Sequence, residues 1–488
     1  MAISLIAKAY PLMPAYNPIK YIYNSTNVNI QGFKYIFDIY ESGTLNKIAE
    51  YRVLPTYGTG YGEIDLSKLL QAKVSYDLEL TNTTVYDATN SHYKYDVAVG
   101  EEYLTTTSYT ANLTNNGGNV QINVVNTFVA GDQIVITQAD GGVANPNLEG
   151  LFTVLSVGAG YLVVSSSWSL VTDPTINGDI TYADGRKTIN RALRQDKNNY
   201  VFNGAIRWVE WPAYDYQDYL LNTATDKLLT TLPTDGYYAT LAQDLWMDAV
   251  NNTPGGGPHR MVFENNLGDI LDKNVAASDH VIGISVGPNN NGATNLLVGS
   301  APLIKPGTEW YDFYYEHAGA QSSQKYRIYL DRRIRDIEYH ILFLDRMGSW
   351  GSFAFTGRYY EKGNVTREQF NRDVQGYVQG GSPYNSWSYN TQDKGYVNSY
   401  ISTDTTIDLN TNWMTEEMAQ YFSELISSPE TYIKKAIYDD EDCELPQSTE
   451  YISCNILTSS YELFKKRNKN LIRQSITIKY ANNDLVNG

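Results

Sequence analysis

One stretch, Lys325 to Tyr360, constrains the chain more than any other, because apolar density, glycine punctuation and arginine concentration peak there together. Tyr326, Ile328 and Leu330 alternate with Lys325, Arg327, Tyr329 and Asp331, the period of a half-exposed strand. After the charged run Arg332, Arg333, Arg335, Asp336 comes Tyr339 to Leu344, short, continuously apolar and rich in strand formers. Such a run predicts a central strand covered on both faces. Asp345 to Gly351 supplies two glycines and a reversal, and Ser352 to Tyr360 resumes with Phe353 and Phe355 on one face. The expectation is two or three core strands joined by a tight Gly-Ser-Trp-Gly turn. Trp350 at that turn is either a lid on the core or an exposed contact, and the lid is favoured because tryptophan buries most of its area in most settings.

A chain of 488 residues exceeds one core and predicts about three domains. Aromatics make up 13% and tyrosine alone 42 residues, against 19% charged, so the surface is expected to be carried by Tyr, Asn, Thr and Ser. Tyrosine gives large contact area at low entropy cost, which suits interfaces. The net charge of −17 disfavours phosphate-backbone binding, and no direct nucleic-acid partner is expected. The basic run Lys465 to Lys469 reads as a solvated turn. Cys443 and Cys454 are too few for a disulfide framework and lack the close pairs of a zinc site, so both are expected as free thiols. The start, Met1 to Lys8, lacks a basic leader, and no apolar run approaches the roughly 18 residues of a membrane span. A soluble protein made in a cytoplasm is expected.

The expected architecture is mainly β and multidomain. Residues 1–26, rich in Tyr and Pro and without a clean period, read as an N-terminal arm that cannot bury itself locally. Residues 27–103 plus 181–199 read as a β-sandwich, with a hairpin from Phe33 to Leu54 and further strands at Lys73 to Leu80 and His92 to Val99. Residues 104–180 read as an inserted small β-barrel with strands at Val120 to Val125, Gln133 to Thr137, Leu151 to Val157 and Tyr161 to Ser165. Residues 200–405 form a central β-rich domain, of which 361–405, low in aliphatics, is an exposed loop or extended arm. Residues 406–488 form a C-terminal α+β module packing on the central domain. Its helix is capped by Thr415, carries Glu416 and Glu417 in the first turn, and sets Met414, Met418, Tyr421, Phe422 and Leu425 on one face.

No catalytic, cofactor-binding or metal-binding residues are assigned, and no cofactor is expected. The five histidines, His92, His259, His280, His317 and His340, are scattered and lack ligand spacing, so structural or surface roles are favoured. The acidic run from Asp439 to Glu444 reads as a solvated loop, with calcium as the residual alternative. Two classes remain. One is a self-assembling structural protein, and the other is a glycan-binding or glycan-cleaving protein using exposed aromatics as stacking platforms. The interface candidates are Tyr10, Tyr16, Tyr21 and Tyr23 in the arm, Trp350 at the central turn, and Tyr377, Tyr384 and Trp387 in 361–405. Removing residues 1–24 is expected to weaken assembly and leave the fold intact.

The segment Tyr339 to Phe355 is similar to a strand-turn-strand core in virion proteins of tailed phages infecting Bacteroidetes, including the crAss-like phages. Asn412 to Glu417, Ile426 to Glu430, Asn455 to Tyr461 and Ile476 to Asn482 resemble the same family, and the hairpin Phe33 to Leu54 fits less specifically. Together these cover about two thirds of the chain, and 104–180 matches as a generic phage-type barrel. The resemblance implies a virion tail protein of the hub or collar, made in the host cytoplasm. Its partners would be its own copies in a ring and other tail proteins, such as fibre or ring components. It carries no catalytic residues.

Overall fold

The computed structural model describes all residues except 1–2, 81–83, 111–112, 140–142, 144, 146–147, 176, 192–195, 252–258, 276–279, 292–302, 334–336, 374–375, 381–385, 390, 393, 438–446, 449, 459–471, 483–484 and 488. The fold is mainly β, 52% strand and 8% helix, in several sheets that include a half-barrel. The chain divides into two compact units, one of residues 1–13, 18–69 and 94–200, the other of 14–17, 70–93 and 201–488.

In the first unit a three-stranded sheet orders Ile3–Ala7, Lys20–Ser25 and Gly62–Asp65. A larger sheet runs through Asp196–Phe202, His92–Leu104, Lys34–Glu41 and Lys47–Val53, with Lys187–Arg191 also bonded to His92–Leu104. The two meet through aromatic rings, Tyr23 edge-on to Phe37 at 5.9 Å. The described residues of 1–26, from Ile3 on, are therefore not an arm without local structure. Lys20–Ser25 does have period two, but its inward residues are tyrosines rather than Ile22: Tyr21 and Tyr23 are fully buried. Burying a phenol is costly unless its hydroxyl has a partner, which Tyr21 has and which, among the described residues, Tyr23 lacks. The Tyr21 hydroxyl donates to Asp196 Oδ2 at 3.0 Å, and Lys8 Nζ pairs with the other oxygen of that carboxylate at 2.7 Å.

Between Thr106 and Tyr182 the chain forms a seven-stranded antiparallel sheet. Its order is Leu113–Asn116, Asn119–Ile122, Tyr161–Ser167, Gly150–Gly158, Gln133–Gln138, Gly178–Tyr182 and Thr106–Tyr109. Val120, Ile122, Ile134, Ile136, Val164 and Ile180 fill its core. Thr181 and Tyr182, expected in the flanking sandwich, pair instead with Val135 and Ile134 of this sheet.

A large hydrophobic core runs through the second unit. Its nine-stranded sheet runs Trp350–Phe355, Ile337–Leu344, Thr431–Ile437, Ile452–Ile456, Ser475–Tyr480, Tyr396–Asn410 and Tyr359–Asn371, with Gln447–Ser448 and Leu485–Asn487 as side pairings. The central strand Ile337–Leu344 is buried from Glu338 onward. One of its faces, Tyr339, Ile341 and Phe343, shares that core with the helix Glu416–Ser427, whose Tyr421 ring lies 5.1 Å from Phe343 and whose Phe422 ring lies 5.3 Å from Phe353. Thr415 caps the helix, its Oγ1 accepting from Met418 N at 3.3 Å. A second sheet orders Tyr237–Thr240, Tyr326–Asp331, Trp310–His317, His259–Asn265 and Ile270–Asn274. A third joins Trp246–Val250, Val281–Ser285 and Val85–Asp87.

That third sheet corrects two expectations. Residues 70–93 belong to the second unit and not to the N-terminal sandwich, and Lys73 to Leu80 forms no strand. Tyr76, Leu78 and Leu80 alternate as a strand would, but they pack against the cluster of Trp246, Leu342, Leu344 and Trp350 without entering a ladder. The central turn also differs. Leu344 pairs with Trp350, so the reversal is Asp345 to Ser349 and Trp350 opens the next strand. Asp345 organises this loop by accepting from Met347 N at 2.8 Å and Ser349 N at 3.1 Å. Gly348 takes φ +95°, and a Cβ there would stand 2.4 Å from the Asn203 carbonyl oxygen, so only glycine fits.

Candidate functional site

The structure separates the eight interface candidates. Tyr10 and Tyr16 are exposed. Tyr21 and Tyr23 are core residues and cannot meet a partner. Trp350 is 1% exposed: its Nε1 donates to the Asp77 carbonyl at 2.7 Å, and Tyr76 and Tyr432 meet its ring at 5.3 and 5.7 Å. It is a core residue and not an interface anchor. Tyr377 and Trp387 are exposed at 46% and 63%, on the paired strands Tyr377–Gln379 and Ser386–Ser388. Tyr384 lies outside the described residues.

The segment 361–405, expected as a loop or extended arm, is largely a regular two-stranded ribbon. Tyr359–Asn371 pairs antiparallel with Tyr396–Asn410 from Tyr359↔Leu409 to Asn371↔Tyr396, with one irregularity after Glu368. Thirteen residues at strand rise span about 43 Å. At its base the ribbon is anchored, since Thr406 to Asn410 pair with Ser475–Tyr480. Lys362 pairs with Asp408, whose carboxyl is held below its ordinary range by Lys362 and by the Thr477 hydroxyl. Along its length Tyr360 to Asn371 are exposed without exception, and the sheet ends on their strand. Exposed Phe370, Tyr377, Val378, Trp387, Tyr389 and Tyr396 concentrate apolar surface in the distal half of this segment. Composition alone hid the ribbon, because Gly, Asn and Ser are poor strand formers and the pairing is set by register over its whole length.

A groove of about 680 Å³ lies at the ribbon's base, lined by Thr356, Arg358, Tyr360, Asn412, Trp413 and Arg473 among others. A smaller cavity of about 210 Å³ shares Thr356, Asn412 and Trp413. Trp413 is 64% exposed, and Arg358 and Arg473 are exposed with no carboxylate at ion-pair distance among the described residues. Asn412 Nδ2 donates to Thr356 Oγ1 at 2.7 Å and ties the two walls together. A guanidinium pair beside an aromatic face can hold a carboxylate or a sugar ring. Sequence reasoning missed these residues. One signal was available: Trp413 immediately precedes Met414, where the helix's apolar face begins, and so falls off that face.

Several other polar groups find partners inside the protein, although His340 Nδ1 is buried without a hydrogen-bond partner among the described residues. Arg346 bridges Glu210 at 2.8 Å and Glu424 at 3.0 Å. His259 and His317, distant in sequence, are cross-strand partners whose rings stack at 4.3 Å. His340 Nε2 lies 3.0 Å from Thr240 Oγ1 and 3.1 Å from Glu338 Oε2. Cys454 is buried, which pushes its thiol up to about 11. Cys443, the acidic run and the basic run 465–469 lie outside the described residues. Among the described residues no three His, Cys, Asp or Glu side chains are placed to share a metal ion, and no helix is long and apolar enough to cross a membrane.

No protein-family model matches the chain, and no curated protein matches it.

Proposed function

We propose that the chain is a structural subunit of a phage virion tail, of hub or collar type, that assembles with its own copies into a ring and presents attachment surfaces to other tail proteins or fibres. In this reading the first unit is a β-sandwich carrying an inserted barrel, and the second is a β-rich body with an α+β end. The observation that carries the proposal is the exposed ribbon with its aromatic distal half. A long ribbon exposed to solvent, with an open strand edge, invites pairing with another chain. Exposed Trp and Tyr supply the anchors of such contacts. Charge favours a second copy as the occupant. Beyond the ribbon's base, residues 362–400 carry four basic and three acidic side chains, whereas the whole chain carries −17, so this distal part does not repel an acidic neighbour. Cyclic closure then requires this patch to meet a different patch on the next copy.

The test is a shortened ribbon. Replacing residues 369–399 by a two-residue turn leaves the pair Glu368↔Tyr400 and everything below it. The shortened protein should keep its melting temperature and lose its oligomer by native mass spectrometry. An unchanged oligomer mass would refute the arm as the assembly element. The groove at the ribbon's base favours a second reading, a glycan-binding or glycan-cleaving tail protein, through Trp413, Arg358 and Arg473. Loss of acidic-glycan binding in Trp413→Ala, with oligomer mass intact, would promote it.

A further inference from the structure

The interior of the second unit holds a lysine and an aspartate in contact, 190 residues apart in sequence. Lys434 Nζ stands 2.6 Å from Asp244 Oδ2, with side-chain exposures of only 4% and 7%. Lys434 lies on the central sheet opposite His340, and Asp244 lies between Tyr237–Thr240 and Trp246–Val250. The carboxylate is held from three sides: Lys434 Nζ and the Tyr451 hydroxyl both reach Oδ2, the latter at 2.9 Å, while Asn289 Nδ2 donates to Oδ1 at 2.6 Å. The Tyr451 ring also lies 5.2 Å from Nζ.

We propose that Lys434 and Asp244 condense after folding into an intramolecular amide bond. Burying an ion pair costs desolvation of both charges, and a neutral amide removes that cost. In the proposed step the Lys434 ammonium passes a proton to the Asp244 carboxylate as the amine attacks. A nitrogen at hydrogen-bond distance from a carboxyl oxygen is within about 3.5 Å of the carboxyl carbon, a near-attack separation. Nζ then attacks Cγ. Charge developing on Oδ1 is met by the Asn289 amide, as in an oxyanion site. Oδ2 is protonated through the Tyr451 hydroxyl, which burial and the adjacent Asp244 carboxylate keep in its phenol form. The Nζ–Cγ bond forms, the Cγ–Oδ2 bond breaks, and water leaves carrying two of the three ammonium hydrogens. Nothing is oxidised or reduced, and no co-reactant is needed. The product is a covalent tie between the sheet strand Thr431–Ile437 and residue 244, and it holds under either functional reading.

Intact mass of the full chain under denaturing conditions tests this directly. The expected mass is one water below that of the sequence, and digestion should release the Lys434 peptide joined to the Asp244 peptide. Lys434→Arg keeps the ion pair without an amine nucleophile and should show its full sequence mass. In freshly made Tyr451→Phe the link should form at least tenfold more slowly. A full sequence mass in the unaltered protein after prolonged incubation, with both peptides recovered unlinked, overturns the proposal. A water loss that persists in Lys434→Arg overturns it equally.

Discussion

Replacing Trp350 with alanine tests the placement of the central hairpin. The side chain is 1% exposed, its ring meets Tyr76 and Tyr432, and its Nε1 serves the Asp77 carbonyl. Truncating a buried tryptophan to alanine costs about 3 to 5 kcal/mol. Leaving the Asp77 carbonyl without its donor adds about 1 kcal/mol. Trp350→Phe retains most of the packing and loses the donor, so it should cost about 1 to 2 kcal/mol. Because the chain has two units, a global melt would mix their transitions. Hydrogen exchange of peptides covering Ile337 to Phe355 reads the local opening free energy instead. A loss of about 4 kcal/mol should raise exchange there nearly a thousandfold. Exchange in the alanine variant within threefold of the parent would show that Trp350 does not hold this region, and an oligomer lost with exchange unchanged would restore it as an interface anchor.

Removing residues 1–24 should now unfold the first unit rather than merely weaken assembly, since it deletes buried Tyr21 and Tyr23; circular dichroism and proteolysis resistance matching the parent would contradict this. Gly348→Ala should destabilise the Asp345 to Ser349 loop by more than 1 kcal/mol, because a left-handed φ and the Asn203 carbonyl both oppose a Cβ; a denaturant midpoint equal to the parent's refutes it. Burial raises the Asp345 carboxyl to about 6, above its unfolded value. Its contribution to stability is therefore full below the unfolded value near 4 and is lost as pH rises through about 6, and Asp345→Asn should flatten the stability profile between about pH 4 and 6. Glu50 runs the other way: Lys47 and Arg191 lower it to about 2, so its contribution is present above its unfolded value and is lost as pH falls toward 2. A pH titration of the exchange of each unit separates the two.

The helix Glu416–Ser427 was legible because a cap, acidic first-turn residues and apolar spacing all agreed, and Ile337–Leu344 was legible because a continuous apolar run needs cover on both faces. The N-terminal strands were not, because their inward residues are phenols, and Tyr21 finds the partner for its hydroxyl in Asp196, about 175 residues away. Strand pattern also misled at Tyr76 to Leu80, where alternation serves packing without a ladder. Of the groove only Trp413 left a sequence signal, as a tryptophan placed off the helix's apolar face. Arg358, Trp413 and Arg473 are brought together only by sheet order, and no local pattern encodes that.

The order in which the chain visits its two units bears on its synthesis. Residues 70–93 leave the ribosome before most of the first unit is made, yet Val85–Asp87 pairs with Val281–Ser285, and the Asp77 carbonyl serves Trp350. Between Asp87 and Val281 lie about 190 residues, which at typical elongation rates take about 10 to 40 s to produce. During that interval Tyr76, Leu78 and Leu80 have no core to enter, while residues 94–200 emerge and complete the first unit. The nascent protein therefore carries a stretch of uncovered apolar chain tethered to a finished neighbour, and its yield should depend on holdase chaperones until Trp350 has emerged.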